Sequence, residues 1–134
     1  MPEIVAMPNI TALYAGLLGL MAMVLSFLVG RYRAPGEEGV SFGDGGRLEV
    51  LVAMRRHANF VEYVPLILIL LALLEMNKVS ETAIHVMGAA LVLVRASHAW
   101  GMHPDDSRGI FRGIGAGGTA IILVVSSIWA ITVF

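Results

Sequence analysis

The sequence predicts an all-α integral membrane protein, a four-helix up-and-down bundle forming a single domain over residues 1–134. Three observations predict it. The chain is 57% hydrophobic and 14% charged, with a mean hydropathy of +0.81, whereas a soluble domain is about a quarter charged. Four apolar segments are each long enough to cross roughly 30 Å of hydrocarbon as a helix. Most connections between them are short, which makes neighbouring helices run antiparallel. The net charge of −1 and the lack of a basic tail exclude a nucleic-acid binder. The chain has no cysteine, so disulfides, thiolate metal sites and a cysteine nucleophile are excluded, and no metal site is expected.

The first span covers about residues 10–29 and carries no charge. The segment before it has Glu3 and neither Lys nor Arg, the opposite of the charged start of a signal peptide. The second span runs over about residues 48–74, enough to cross with a turn or two protruding. The third covers about residues 82–101 and the fourth about residues 113–134. The long connection "RYRAPGEEGVSFGDGGR" between the first two holds five glycines and a proline and reads as a flexible loop, a lid or a tether. Arg31, Arg33 and Arg47 follow span one, Arg108 and Arg112 follow span three, and the opposite side carries only Lys78. The positive-inside rule therefore puts both arginine-bearing loops in the cytoplasm and both termini outside.

Antiparallel packing gathers polar residues that are far apart in sequence. Arg31 and Arg33 end span one. "MRRHANFVEYVP" opens span two with Arg55, Arg56, His57, Asn59, Glu62 and Tyr63. Arg95 and His98 lie toward the end of span three, and Arg108 and Arg112 at the start of span four. Arg55, Asn59 and Glu62 fall at i, i+4 and i+7, one face of a helix. Glu62 is about 10 Å along the axis from Arg55. A bare carboxylate at that depth is costly, so a partner on another helix is expected, with Arg95 and His98 as candidates. Pro65 frees the carbonyl of Val61 and predicts a bend or a water site.

Bland readings compete with functional ones. Arg31, Arg33 and Arg47 are long enough to snorkel to headgroups. Asn59 and Glu62 are too short for that, and their structural alternative is a polar clamp between helices. His85 reads as interfacial, "HPDD" as a solvated turn, and Trp100 and Trp129 as interface anchors. Gly109, Gly113 and Gly117 recur every fourth residue and read as a helix-packing stripe. The arginine excess points to an anionic, water-soluble guest that meets a lipid-dissolved partner at one membrane face.

"RRHANFVEYVP" resembles the second-helix signature of the membrane-associated proteins in eicosanoid and glutathione metabolism, the family of microsomal glutathione transferase. Arg55, Asn59, Glu62, Tyr63 and Pro65 match all five positions of its pattern. "RYR" ending span one, "RASH" on span three and the pair Arg108 and Arg112 match basic positions of the prostaglandin synthase branch. The resemblance extends over the whole chain and implies a homotrimer with glutathione sites between subunits. It implies glutathione as cosubstrate, bound by Arg55, Asn59, Glu62, Tyr63 and His98, with Arg31, Arg95 and Arg108 in support. Glu62 would take the γ-glutamyl ammonium and arginines the two carboxylates. Arg112, with Arg108 as the competing choice, would stabilise the thiolate. A nearby cation favours thiolate over thiol, and the thiolate is the nucleophile.

The implied activity is a transferase or peroxidase acting on a lipophilic small molecule in membrane lipid, in a bacterial inner membrane. The chain departs from the eicosanoid branch at Met102, where that branch has Tyr, and at Gly113 and Ala116, where the prostaglandin synthase has Ser and Tyr. Two other classes remain open. One is a non-enzymatic scaffold or lipid-binding protein of the same fold, whose polar cluster is structural. The other is a small exporter, disfavoured because transporters place their charged site near the midplane between related halves.

Overall fold

A computed structural model describes residues 6–34 and 39–133. Glu3 and the part of the long loop at residues 35–38 lie outside the described residues, as does residue 134. Four α-helices make up the fold: α1 (Asn9–Arg33), α2 (Leu48–Met76), α3 (Glu81–Gly101) and α4 (Gly109–Thr132). All four are long and apolar enough to cross a membrane, and no strand occurs among the described residues. The expected all-α, four-span architecture is what the chain adopts. α4 starts at Gly109, so Arg112 sits inside its first turn rather than in the loop before it.

Helix ends follow local chemistry. α1 closes on Arg31 and Arg33, cations that complement the negative end of the helix dipole. α2 runs through Pro65 and stops at Asn77, whose side-chain amide donates to the Leu73 carbonyl at 2.8 Å. Lys78 then turns the chain with φ at 60°. At the far end of α2, Glu75 reaches α1. Its carboxylate accepts the backbone N–H groups of Ile10 and Thr11, each at 2.8 Å, and the Thr11 hydroxyl at 2.7 Å. α1 has no side-chain cap of its own, so its N–H donors are satisfied from a neighbouring helix.

α2 is the spine of the core. Phe60, Val64, Ile67, Leu71 and Leu74 are all buried, spaced at the alternating four and three residues that keep one stripe facing inward. Leu18 and Leu25 of α1, Ile84 and Leu91 of α3 and Ile122 of α4 complete the cluster. α2 and α3 each contact the other three helices, while α1 and α4 do not meet. The section is therefore a rhombus with α2 and α3 across its short diagonal. The buried stripe of α3 continues from Leu91 into Arg95 and His98, and that of α4 runs through Gly115, Thr119, Ile122 and Ser126. The buried stripe of α3 thus becomes polar at the arginine-rich end.

The glycine expectation needs correction. An added Cβ at Gly113 or Gly117 would meet nothing within 4 Å, whereas at Gly115 it would lie 2.4 Å from the backbone N of His98. At Gly118 it would lie 2.5 Å from Val94, and at Gly101 2.0 Å from the Arg112 backbone N. The close approach of α3 and α4 uses Gly101, Gly115 and Gly118. At about 100° per residue Gly113 and Gly117 fall on the outer face.

Candidate functional site

The arginine-rich end is built around Arg95, which is 1% exposed. Its Nη1 donates to Asn59 Oδ1 at 2.9 Å and to Thr119 Oγ1 at 3.4 Å. Its Nη2 lies 3.3 Å from His98 Nδ1. The guanidinium also sits 5.5 Å from the centre of the Phe60 ring, a cation–π distance. Arg95 Nε is buried without a hydrogen-bond partner. Thr119 in turn donates to the Gly115 carbonyl at 2.7 Å, and Gly115 lets the backbone of α4 lie against His98. One cation therefore ties α2, α3 and α4 together through neutral partners.

Beside it is a recess of about 70 Å³ lined by Asn59, Tyr63, Arg95, Ala116, Thr119 and Ala120. It lies between α2 and α4. Asn59, Tyr63, Arg95 and Thr119 give it the few polar groups that suit ordered water or the polar end of a ligand.

Glu62 does not pair with Arg95 or His98. Among the described residues it makes no ion pair, and it is exposed on the outer side of α2. The reason is angular. Asn59 faces α3, and Glu62, three residues on, is carried about 60° around the helix. Arg55 and Tyr63 are likewise exposed. Of the stripe Arg55, Asn59 and Glu62, only Asn59 is drawn into the chain's own polar network. Arg31 is exposed at the end of α1. Arg33 donates through Nε to the Gly43 carbonyl at 3.0 Å, and Arg47 donates to the Tyr32 carbonyl, so these two anchor the long loop.

The α3–α4 turn presents the remaining candidates. Ser97 Oγ donates to the Phe111 carbonyl at 2.9 Å and Gly101 abuts the backbone of Arg112, which fixes the start of α4 on the end of α3. Arg112 Nη2 is 3.3 Å from Asp106 Oδ1, with both side chains about half exposed. Arg108 lies 4.0 Å over the Trp100 ring. "HPDD" is the solvated turn expected of it. Asp105 accepts from the Ser107 hydroxyl and N–H and pairs with His103. These bonds hold its carboxyl well below the usual carboxylate range, the Ser107 hydroxyl contributing most.

Sequence reasoning passed over Thr119, Asp106 and Glu75. A threonine or a glutamate inside an apolar span is the signal that marks two of them. Asp106 has no sequence signal, because its partner is set by the turn.

The MAPEG family model matches residues 11–132. The chain belongs to the MAPEG family. It is 36% identical over 121 residues to inner membrane protein YecN of Escherichia coli, in both the K12 and CFT073 strains, covering 90% of this chain and 91% of that protein. No solved structure matches it significantly. Every candidate residue, from Arg31 to Arg112, falls inside the region matched to MAPEG, and four membrane-capable helices make this MAPEG chain a multi-pass membrane protein.

Proposed function

We propose that this protein binds glutathione at the arginine-rich end of its bundle and activates the thiol for attack on a lipophilic electrophile in a bacterial inner membrane. One observation carries the reading. Among the described residues, Arg31, Arg55, Arg95 and Arg108 have no carboxylate partner, and Glu62 has no cation partner. Glutathione offers the complement, two carboxylates and one ammonium. An intramembrane carboxylate on an outer face is costly in lipid. A second copy of the chain packed over α2, as in a homotrimer, shields Glu62 and encloses the site.

In this scheme Asn59 and Tyr63, beside the recess, orient the peptide, with Arg95, itself braced by His98, holding Asn59 in place. Arg112 stabilises the thiolate. The thiol proton leaves to solvent, and the sulfur lone pair forms a C–S bond to the electrophile, which either expels a leaving group or takes up a proton. Arg112 is engaged with Asp106 at 3.3 Å, an exposed pair worth about 0–1 kcal/mol. A bound thiolate can therefore compete for it.

A second reading is favoured by the bonds that Arg95 makes within the chain. Its bonds to Asn59, Thr119 and His98 are what a structural clamp in a non-enzymatic scaffold needs. A glutathione titration of detergent-purified protein separates the two, with heat stability and thiolate absorbance followed together. A ligand that binds only the folded form raises stability as its concentration passes Kd. Stabilisation with thiolate absorbance supports the transferase. Stabilisation alone means binding without activation. No response at millimolar glutathione leaves the clamp.

A further inference from the structure

We infer that the face between α1 and α3, on the far side of the bundle from the α2–α4 recess, binds an anionic phospholipid: its acyl chain in an apolar groove, its phosphate at Arg56 and Arg108. The groove encloses about 270 Å³, with walls that include Val24 and Leu28 of α1 and Ala96 and Ala99 of α3, and with Arg56 and Trp100 also lining it. Alanines on the α3 wall leave a trough where larger side chains would fill it. Arg56 neighbours Arg55 in sequence, but a step of about 100° turns it to a different side of α2. It donates to the Met102 carbonyl at the end of α3, and its Nε is buried without a partner. Arg108 lies 4.0 Å over the ring of Trp100, which is 60% exposed.

Charge decides the occupant. Neither Arg56 nor Arg108 has a carboxylate partner among the described residues, and no acidic residue lines the groove. A neutral lipid leaves both cations without a counter-ion. A small soluble anion leaves the apolar trough empty. A lipid with an anionic headgroup satisfies both, and basic pockets between membrane helices bind such headgroups. The inference stands apart from the glutathione reading, with Arg108 the one residue common to both.

The test uses Trp100 as the reporter. The chain has two tryptophans, so Trp129→Phe leaves Trp100 alone. That protein is placed in phosphatidylcholine bilayers containing increasing fractions of phosphatidylglycerol or phosphatidylcholine with brominated acyl chains, which quench tryptophan on contact. Brominated phosphatidylglycerol is expected to reach half-quenching at an about 25-fold lower fraction, since each of the two arginines near the surface gives a preference of about fivefold. Arg56→Gln in the same background is expected to lower that preference about fivefold, leaving what Arg108 alone gives, and Arg56→Lys to lower it less. Unlabelled phosphatidylglycerol is expected to relieve the quenching, and inorganic phosphate not to. Equal quenching by the two lipids in Trp129→Phe overturns the inference without any change at Arg56. Relief by inorganic phosphate also overturns it, since that marks a headgroup-only site. A preference undiminished in Arg56→Gln overturns it as well.

Discussion

Replacing Glu75 tests whether the bundle is closed by a carboxylate at the end opposite the arginines. Glu75 is 8% exposed and accepts three hydrogen bonds from the first turn of α1, at 2.8, 2.8 and 2.7 Å. Glutamine has almost the same shape, keeps one acceptor oxygen and substitutes a donor amide for the other. It therefore loses one or two of the three bonds and faces an N–H with an N–H. Hydrogen bonds to charged groups contribute about 1.5–3 kcal/mol each. The negative charge at the α1 N-terminus adds about 0.3–1 kcal/mol. Glu75→Gln is thus expected to destabilise the fold by about 2–7 kcal/mol. Thr11→Val removes only the hydroxyl bond to the carboxylate and is expected to cost about 1.5–3 kcal/mol. Equilibrium unfolding in mixed detergent micelles measures both. Hydrogen exchange at the amides of Ile10 and Thr11 shows whether the loss begins there. Glu75 is roughly 24 Å along α2 from Asn59 at 1.5 Å per residue, so ligand effects at the arginine-rich end should survive in the variant. A loss under about 0.5 kcal/mol in Glu75→Gln, with unchanged exchange at Ile10 and Thr11, would refute the capping argument.

Three further outcomes are expected. Arg112→Ala should lower the thiolate fraction of bound glutathione about tenfold or more at neutral pH, the effect of removing an adjacent cation. Its heat stability should change little, because the side chain is half exposed. Asp106→Asn releases Arg112 from its partner and should raise that thiolate fraction, but by no more than about fivefold, since an exposed pair contributes at most about 1 kcal/mol. Thiolate absorbance against pH reads both variants, and a fall in Asp106→Asn would mean that the aspartate positions the arginine rather than competing for it. Gly115→Ala should destabilise the chain by about 1–3 kcal/mol through its clash with His98. Gly113→Ala meets open space and should be neutral or slightly stabilising, as unfolding in mixed micelles would show.

Which parts were legible in the sequence follows from what each signal measures. Span length and apolarity report the membrane crossing of one helix, and four such spans with short connections leave little choice but an antiparallel bundle. The same topology places Arg31, Asn59, Arg95 and Arg112 at one end. Periodicity gives the angle between two residues on a helix, but not which side of that helix its neighbours occupy. That is why Arg55, Asn59 and Glu62 read as one interior face, while only Asn59 is held by Arg95. It is also why Gly113 and Gly117 stood out by spacing although Gly115 and Gly118 make the close approach.

Contacts made across helices by isolated polar residues left no pattern to read. Glu75 is a single carboxylate after a run of leucines, and its role appears only when the N-terminus of α1 is laid against it. The exposure of Glu62 has the same origin and carries the larger consequence. Within one chain its carboxylate faces outward from the apolar part of α2, where lipid solvates it poorly. The surface of α2 that bears Arg55, Glu62 and Tyr63 is therefore where a ligand or a second copy has the most to contribute. Glu62→Gln distinguishes a needed charge from a merely tolerated one. Loss of glutathione stabilisation with the unliganded protein unchanged would assign the carboxylate to the ammonium of the ligand. A loss of stability in the unliganded protein would assign it to contacts between subunits.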